Sequence, residues 1–189
     1  KAAKDEGVFT AVRRYDPMKT PLNNFVFEQC TSKYLDEIIR IQSETLANLP
    51  SSDILRENTP EMLEECLCPP HFTIGAWYEG KLAAFSILYY PHDDRENLAI
   101  SLKGLDISGL STANSKLCIV REEFRGNGLQ YNLGLIIERH AVSRGTKLIC
   151  ATASPYNQYS INNILRLGYA YNRTLTKYGY KRNLYYKFI

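Results

Sequence analysis

The sequence lacks several features that mark particular classes of protein. No apolar run approaches the ~20 residues that a membrane-spanning helix requires. No Gly-Lys-Ser or Gly-Lys-Thr follows a glycine-rich stretch, which excludes a P-loop nucleotide site. Because no signal-peptide pattern opens the chain either, we expect a cytoplasmic protein that has no membrane partner.

The five cysteines do not follow the patterns of disulfide frameworks or zinc sites. Their number is odd, and they stand in apolar runs such as KLCIV (116–120) and KLICA (147–151), which is typical of buried thiols. Cys66 and Cys68 are separated by one residue and no second pair accompanies them, whereas a zinc site needs wider spacing and more ligands. We therefore expect no metal ion.

Charge and length set broad bounds on function. A net charge of +3 is too small to argue for nucleic-acid binding, although it suits an anionic ligand. The 14 tyrosines suit half-buried strand positions and the walls of pockets. A chain of 189 residues is long enough for one domain with a substantial core and short for two.

Hydrophobic patterns predict the order of helices and strands. Period-2 runs rich in β-branched and aromatic residues predict strands, and apolar residues at helical spacing predict helices. The predicted order is strand, helix, helix, hairpin, strand, helix, strand, helix, strand, strand. The corresponding segments are NFVFEQC (24–30), YLDEIIRIQSETLANL (34–49), TPEMLEECL (59–67), HFTIGAWYEGKLAAFSILYYP (71–91), KLCIV (116–120), a helix at about 129–144, TKLICATA (146–153), SPYNQYSINNILRLGY (154–169), AYNRTLTKY (170–178) and RNLYYKFI (182–189).

Cap and turn residues locate some of the boundaries. Thr31 or Ser32 is expected to cap the first helix, and Thr59 the second, with Pro60 at its first position. The segment 79–81, Glu-Gly-Lys, is a tight-turn signal between the two strands of the hairpin.

This order of elements predicts a mixed α/β fold. The alternation of strands and helices in the second half requires parallel neighbours with crossover helices, whereas the hairpins add antiparallel strands. We predict one sheet flanked by helices, in a single domain of residues 24–189. Residues 1–23 are a polar N-terminal extension, in which KAAKDEGVFTAVRRY (1–15) predicts a short helix.

The stretch REEFRGNGLQ (121–130) has the chemistry of an anion site. It lies between a predicted strand and a predicted helix, and the first N–H groups of a helix have no internal partner and carry the positive end of the helix dipole. Gly126 and Gly128 let the backbone approach an oxygen closely, and Arg125 adds a charged donor. The same pattern is also common in ordinary turns, so by itself it leaves both interpretations open.

Two motifs resemble the GNAT superfamily of N-acetyltransferases. The first is the family's acyl-CoA pyrophosphate loop, which is matched by Arg125, Gly126, Asn127, Gly128 and Leu129 but not by Gln130. The second, NQYSINNILRLGY (157–169), is similar to the family's next segment, in which an Asn opens a helix that ends in a Gly-aromatic pair. The order of elements over residues 24–189 matches the family as well.

The resemblance implies a mostly antiparallel sheet in which two parallel strands splay apart and bind acetyl-CoA, or another acyl-CoA, as co-substrate. Cys118, Ile119 and Val120 would line the pantetheine arm, residues 125–130 would hold the pyrophosphate, and Asn157 would contact the arm near the thiol. It also implies direct attack of an amine on the thioester, with a backbone N–H near Val120 as donor to the oxyanion. On this interpretation Cys118 is a small buried residue and not a nucleophile.

The candidate acid and base depart from the family's pattern. Many members carry a tyrosine that protonates the leaving thiolate where this chain has Ile164, and Tyr159 or Tyr156 could substitute for it. Ser115 stands where a glutamate base is common, and it could hold a water that relays a proton.

The identity of the general base is open. Further candidates are Glu28, His71 and the loop 92–94. Gln130 adds a side chain to the pyrophosphate loop, and its amide could donate to phosphate, so we expect weakened but not abolished binding of the co-substrate.

We therefore expect an N-acetyltransferase that acts on a primary amine of a small molecule or an amino acid. The alternatives are an acyl-CoA-binding sensor or interaction module without catalysis, and an enzyme that acetylates protein N-termini or lysines. We expect no nucleic-acid partner, and we leave open whether the chain forms a homodimer.

Overall fold

The computed structural model describes residues 21–189, so the helix predicted within residues 1–15 lies outside the described residues. Within these residues, seven strands and four α-helices follow the predicted order. They are β1 (Val26–Gln29), α1 (Leu35–Ala47), α2 (Pro60–Cys66), β2 (Phe72–Tyr78), β3 (Lys81–Tyr89), β4 (Thr112–Val120), α3 (Leu129–Ser143), β5 (Leu148–Ala153), α4 (Gln158–Arg166), β6 (Ala170–Lys177) and β7 (Tyr180–Phe188).

The strands form one sheet in the order β1-β2-β3-β4-β5-β7-β6, which confirms the predicted mixed α/β fold. Among the seven described strands only β4 and β5 are parallel, and they are joined by α3 as a crossover helix. The strand after α4 does not continue the parallel arrangement, because β7 lies between β5 and β6 and runs antiparallel to both. The alternation of helices and strands thus produces a single parallel pair.

Most of the predicted caps and turns are present. Thr59 accepts a hydrogen bond from the Met62 N–H and caps α2. Glu79 and Gly80 both have positive φ, as a two-residue hairpin turn requires. The predicted cap of α1 was wrong, because a short 3₁₀ helix, Ser32–Tyr34, precedes α1 and places Tyr34 at its N-cap.

The helices cover the two faces of the sheet in pairs. Apolar residues of α3 and α4 share one buried cluster with the sheet, whereas those of α1 and α2 share another cluster on the opposite face. The 3₁₀ helix Leu98–Ser101 packs on β5 and β7 in a third, smaller cluster. No helix within residues 21–189 combines the length and the apolar character that a membrane span needs.

The two helices on the α3 face lie very close to each other. Gly134 stands in the middle of α3, where glycine is unfavourable by roughly 1 kcal/mol relative to alanine. A Cβ at this position would meet the Leu167 side chain at 2.5 Å. The glycine therefore lets Leu167, which directly follows α4, pack against the backbone of α3.

Candidate functional site

The gap between β4 and β5 begins at an irregularity in the pairing of β4 with β3. Ile87 of β3 pairs with Leu117, but the next residue of β3 pairs with Ser115. Lys116 is therefore an extra residue on β4, a β-bulge that bends the strand. Parallel pairing with β5 ends at Ser115, although β4 continues to Val120. A cavity lies at this divergence and is lined by residues of both strands.

The backbone of β4 beyond the bulge faces this gap at every second residue. Arg121 donates its N–H to the carbonyl of Ala83 on β3, at 2.9 Å. Because successive residues of a strand direct their backbone groups to opposite sides, the groups of Val120 and Cys118 face β5. The Ile119 side chain is buried against α1 and α2, on the opposite face from α3. Of the three residues predicted to line the arm, Cys118 and Val120 therefore direct their backbone groups into the gap, whereas Ile119 directs its groups towards β3 and its side chain towards α1 and α2.

The glycine loop gives α3 an open N-terminus. Gly126 has a φ of 94°, and Gly128, the N-cap, has a φ of 70°, so both adopt the left-handed backbone conformation that favours glycine. No side chain of the described residues caps α3, and the first backbone hydrogen bond of the helix runs from the Asn132 N–H to the Gly128 carbonyl, at 3.0 Å. Arg125 is exposed beside this loop.

Asn127 holds the loop in shape. Its Nδ2 donates to the Phe124 carbonyl at 2.8 Å, and its Oδ1 accepts from the Leu22 N–H at 2.7 Å. These bonds tie the loop to itself and to the segment that precedes β1. The Asn127 side chain thus supports the loop, whereas the neighbouring backbone is open.

Two residues predicted to bind the co-substrate stand at the N-terminal ends of α3 and α4, and both line the cavity. Asn157 caps α4, because its Oδ1 accepts from the Ser160 N–H at 3.1 Å. Gln130 lies on the first turn of α3 and reaches across to α4. Its Nε2 donates to Ser160 Oγ at 3.2 Å, and its Oε1 accepts from Asn163 Nδ2 at 3.5 Å.

The structure separates the predicted catalytic residues. Ser115 and Ile164 line the cavity. Tyr156 and Tyr159 belong to the turn before α4 and to its first turn, next to Asn157, but neither is among the side chains that line the cavity in the described chain. The Tyr156 side chain is half exposed.

The Cys118 thiol lines the cavity but is not activated. Burial raises its pKa to about 12, and a hydrogen bond with Ser86 opposes this effect only in part. At neutral pH the side chain is therefore a neutral thiol, and no general base among its described neighbours makes it a thiolate.

The cavity continues to the face of the sheet that carries α1 and α2. The side chains that line it there come from the loop between α1 and α2, from β4, and from the β6–β7 hairpin; among them are Arg56, Asn58, Lys116, Tyr178 and Arg182. None of these residues was predicted from the sequence to belong to a site. The Tyr-Gly pair of the β6–β7 turn can be recognised in the sequence as a turn. A single sequence does not show, however, that this turn lies beside the loop before α2.

Glu96 neutralises part of this cationic surface. Its carboxylate lies 3.3 Å from an Arg56 nitrogen and 3.5 Å from Lys116 Nζ. Burial alone would raise the Glu96 pKa, but the two cations outweigh burial and hold the pKa below its usual value. Glu96 is therefore ionised and engaged in ion pairs.

The other predicted bases lie elsewhere. Glu28 is exposed on the edge strand β1. His71 and His92 cluster with Glu65, close enough together to suggest metal ligands. However, the Tyr90 N–H donates to His71 Nδ1 at 3.0 Å, which leaves the proton of the neutral imidazole on Nε2, the nitrogen that faces the cluster. A metal-bound histidine needs a free lone pair on that nitrogen.

Comparison with known proteins yields matches of structure and not of sequence. No protein-family model matches the sequence, and neither does any curated protein. Among solved structures, a GNAT-family acetyltransferase from Streptococcus pneumoniae superposes with a TM-score of 0.66 at 16% identity, covering 88% of this chain and 99% of that one. A ribosomal-protein-alanine N-acetyltransferase from Brucella melitensis gives 0.66 at 15% identity, covering 87% and 99%.

A third neighbour was solved with a ligand. It is YncA, a candidate acetyltransferase from Salmonella typhimurium in complex with its cofactor acetyl-CoA, with a TM-score of 0.67, 13% identity, and coverage of 88% of this chain and 94% of that one. The splayed strands, the open glycine loop and these superpositions agree. The chain has the fold of the GNAT-family acetyltransferases.

Proposed function

We propose that this protein is an N-acetyltransferase that moves an acetyl group from acetyl-CoA to a primary amine of a small molecule or an amino acid. The observation that carries the proposal is the divergence of β4 from β5 directly beside the uncapped N-terminus of α3. An unpaired strand edge and an anion site therefore lie next to each other, as a long ligand with a pyrophosphate and an amide-containing arm requires.

The residues of the gap fit this ligand. The open N–H groups at the start of α3 and the nearby Arg125 suit a pyrophosphate, and Gly128 keeps side-chain atoms away from it. The backbone groups of Cys118 and Val120 can pair with the arm as a neighbouring strand would. Asn157 has its Nδ2 available beside them, because its capping bond uses Oδ1.

The acetyl transfer proceeds by direct attack of the amine. When bound, acetyl-CoA supplies the activated acetyl group as a thioester. The Val120 N–H, directed into the gap, stabilises the negative charge that develops on the carbonyl oxygen. Cys118 takes no covalent part, because its raised pKa keeps the thiol neutral. For the proton transfers we retain Tyr159, Tyr156 and Ser115 as the candidates.

The lining of the cavity favours a small acceptor over a protein. A site for a protein N-terminus or a lysine side chain is expected to be a shallow, acidic groove. Here the lining carries Arg56, Lys116, Arg182 and the ring of Tyr178. A cationic, partly aromatic cavity suits a small acceptor that is not itself strongly basic.

The second candidate function is an acyl-CoA sensor that does not catalyse. Ile164 cannot donate a proton, and Gln130 joins α3 to α4 beside the gap. Release of CoA thiol from acetyl-CoA, followed with a thiol reagent over a broad panel of amines, separates the two functions. Amine-dependent release above background supports the enzyme, whereas binding of acetyl-CoA without release for any amine contradicts it and supports the sensor.

A further inference from the structure

Arg182 is a buried cation that makes no ion pair within the described part of the chain. The residue is 3% exposed and lies near the start of β7, where it lines the cavity on the α1 face of the sheet. Its Nη1 donates to the neighbouring Lys181 carbonyl at 2.9 Å. Its Nη2 is buried and has no hydrogen-bond partner among residues 21–189.

Arg121 shows how the same protein treats a buried arginine that has a structural role. It is 8% exposed, and its Nη atoms bind the carboxylates of Glu37 and Glu44 on α1. Its Nε donates to the Leu82 carbonyl at 2.8 Å. Every arm of that guanidinium is satisfied, as burial of a charge requires. Arg182 is as buried as Arg121, but no carboxylate of the described residues contacts it.

The surroundings of Arg182 are cationic as well. Arg56 and Lys116 line the same cavity, and Lys177 lies near enough to interact electrostatically with both. Against these charges stand Glu96, which already pairs with Arg56 and Lys116, and Asp53, whose charge acts on Arg182 from a distance. The cavity therefore attracts an anion.

Asn58 also lines this cavity and carries a buried hydrogen-bond acceptor. Its Nδ2 donates to Gln42 Oε1 and to the Arg56 carbonyl, each at 3.2 Å, which fixes the orientation of the amide. Its Oδ1 is buried and has no hydrogen-bond partner among residues 21–189. This oxygen is therefore free to accept a hydrogen bond from a group that enters the cavity. The lining thus offers one unpaired cationic donor and one unpaired neutral acceptor.

We propose that the acceptor is an amine that also carries a carboxylate, with the carboxylate bound by Arg182 and an N–H of the substrate bound by Asn58. This assignment rests on the proposed acetyl transfer. The amine nitrogen forms its bond to the acetyl carbon as the carbon–sulfur bond breaks, and the proton lost by nitrogen ends on the CoA thiol. A planar carboxylate matches the fork of donors that a guanidinium presents.

The test compares amino acids with two analogues of the same side chain, the primary amide and the amine that lacks the carboxylate. CoA release is expected to show kcat/KM at least about tenfold higher for the amino acid. Arg182→Met is expected to reduce kcat/KM for the amino acid on the order of 100-fold and to leave the analogues nearly unchanged, while Arg182→Lys recovers part of the loss. Arg144→Met, at the exposed C-terminal end of α3, is the control and retains the native preference.

Two equilibrium measurements separate this proposal from the proposed function. Calorimetry measures the Kd of acetyl-CoA at the gap between β4 and β5, and this Kd is expected to be unchanged by Arg182→Met. N-acetyl amino acids, as product ligands, are expected to raise the melting temperature of the native protein but not of Arg182→Met. Equal kcat/KM for amino acids and their amides overturns the carboxylate assignment and leaves acetyl transfer intact. A preference for amines with a phosphate or sulfonate, or for peptide N-termini, overturns it as well.

Discussion

Cys118 illustrates how burial decides the chemistry of a single side chain. It lies in the gap beside the proposed thioester, where a thiolate would be a strong nucleophile. Burial raises its pKa to about 12, so the thiol stays protonated in the range in which an enzyme works. Cys68, in contrast, is exposed.

Cys118→Ala is therefore expected to retain kcat within about threefold, because the thiol contributes packing and no covalent step. The measurement is the initial rate of CoA release at saturating acetyl-CoA, with Cys68→Ala as the control. Direct attack would be contradicted by two results together. One is a loss of activity of more than about 100-fold, as removal of a nucleophile causes, and the other is an acetylated native enzyme in mass spectra.

At the level of helices and strands, the site depends on contacts between elements that are distant in sequence. Local patterns predicted the helices, the hairpins and the glycine loop, because spacing and turn residues are local properties. The bulge at Lys116 and the insertion of β7 between β5 and β6 depend on which strands pair, and a single sequence does not show this. For the same reason Arg182 and Asn58 were missed, since they meet only after the sheet and the loop before α2 come together.

Gln130 links α3 to α4 at one side of the gap. Its hydrogen bonds to Ser160 and Asn163 must break if acetyl-CoA enters between the two helices. We expect Gln130→Ala to bind acetyl-CoA about fivefold more tightly, because a neutral hydrogen bond is worth roughly 1 kcal/mol and the alanine leaves none to break. The measurement is the Kd from calorimetry.

Gln158→Ala provides the matched control, because Gln158 bonds to Asn162 on the exposed side of α4. It is expected to keep the native Kd. Weaker binding by Gln130→Ala would show instead that its amide donates to the ligand, which is the alternative that the sequence left open.

For the molecule as a whole, buried thiols set an alkaline limit to stability. Cys30, Cys66 and Cys150 are buried in the sheet and its helices, and burial raises the pKa of each from 9.0 to about 12. Between these two pH values the unfolded chain loses thiol protons that the folded chain keeps. The free energy of unfolding therefore falls as pH rises above 9, by up to about 1.4 kcal/mol per pH unit for each thiol.

Urea denaturation at about pH 8 and about pH 10 measures this dependence. Cys150→Ala is expected to reduce the loss of stability between the two conditions, whereas Cys68→Ala, at an exposed position, leaves it unchanged. A free energy of unfolding that stays constant over this range would show that the buried thiols do not control alkaline stability.

The two proposed binding regions, one for the co-substrate and one for the acceptor, meet at one opening in the sheet. One region lies at the glycine loop and the strand edge on the α3 face, and the other lies among Arg56, Asn58 and Arg182 on the α1 face. The bulge and the divergence of β4 from β5 connect them, so a thioester entering from one face can meet an amine from the other. Transfer of the acetyl group depends on the binding of acetyl-CoA at the glycine loop and the strand edge on the α3 face.

Calorimetric titration of acetyl-CoA into the native protein, Gly128→Val and Gly109→Val tests this claim. Gly128 and Gly109 have nearly the same φ, 70° and 72°, so valine strains both backbones similarly, by about 1–2 kcal/mol, but only residue 128 lies at the N-terminus of α3. We expect native binding to persist in Gly109→Val and to weaken at least about tenfold in Gly128→Val, because the new side chain occupies the anion site. Absence of binding by the native protein at millimolar acetyl-CoA, or equal affinity in folded Gly128→Val, would contradict the proposed site.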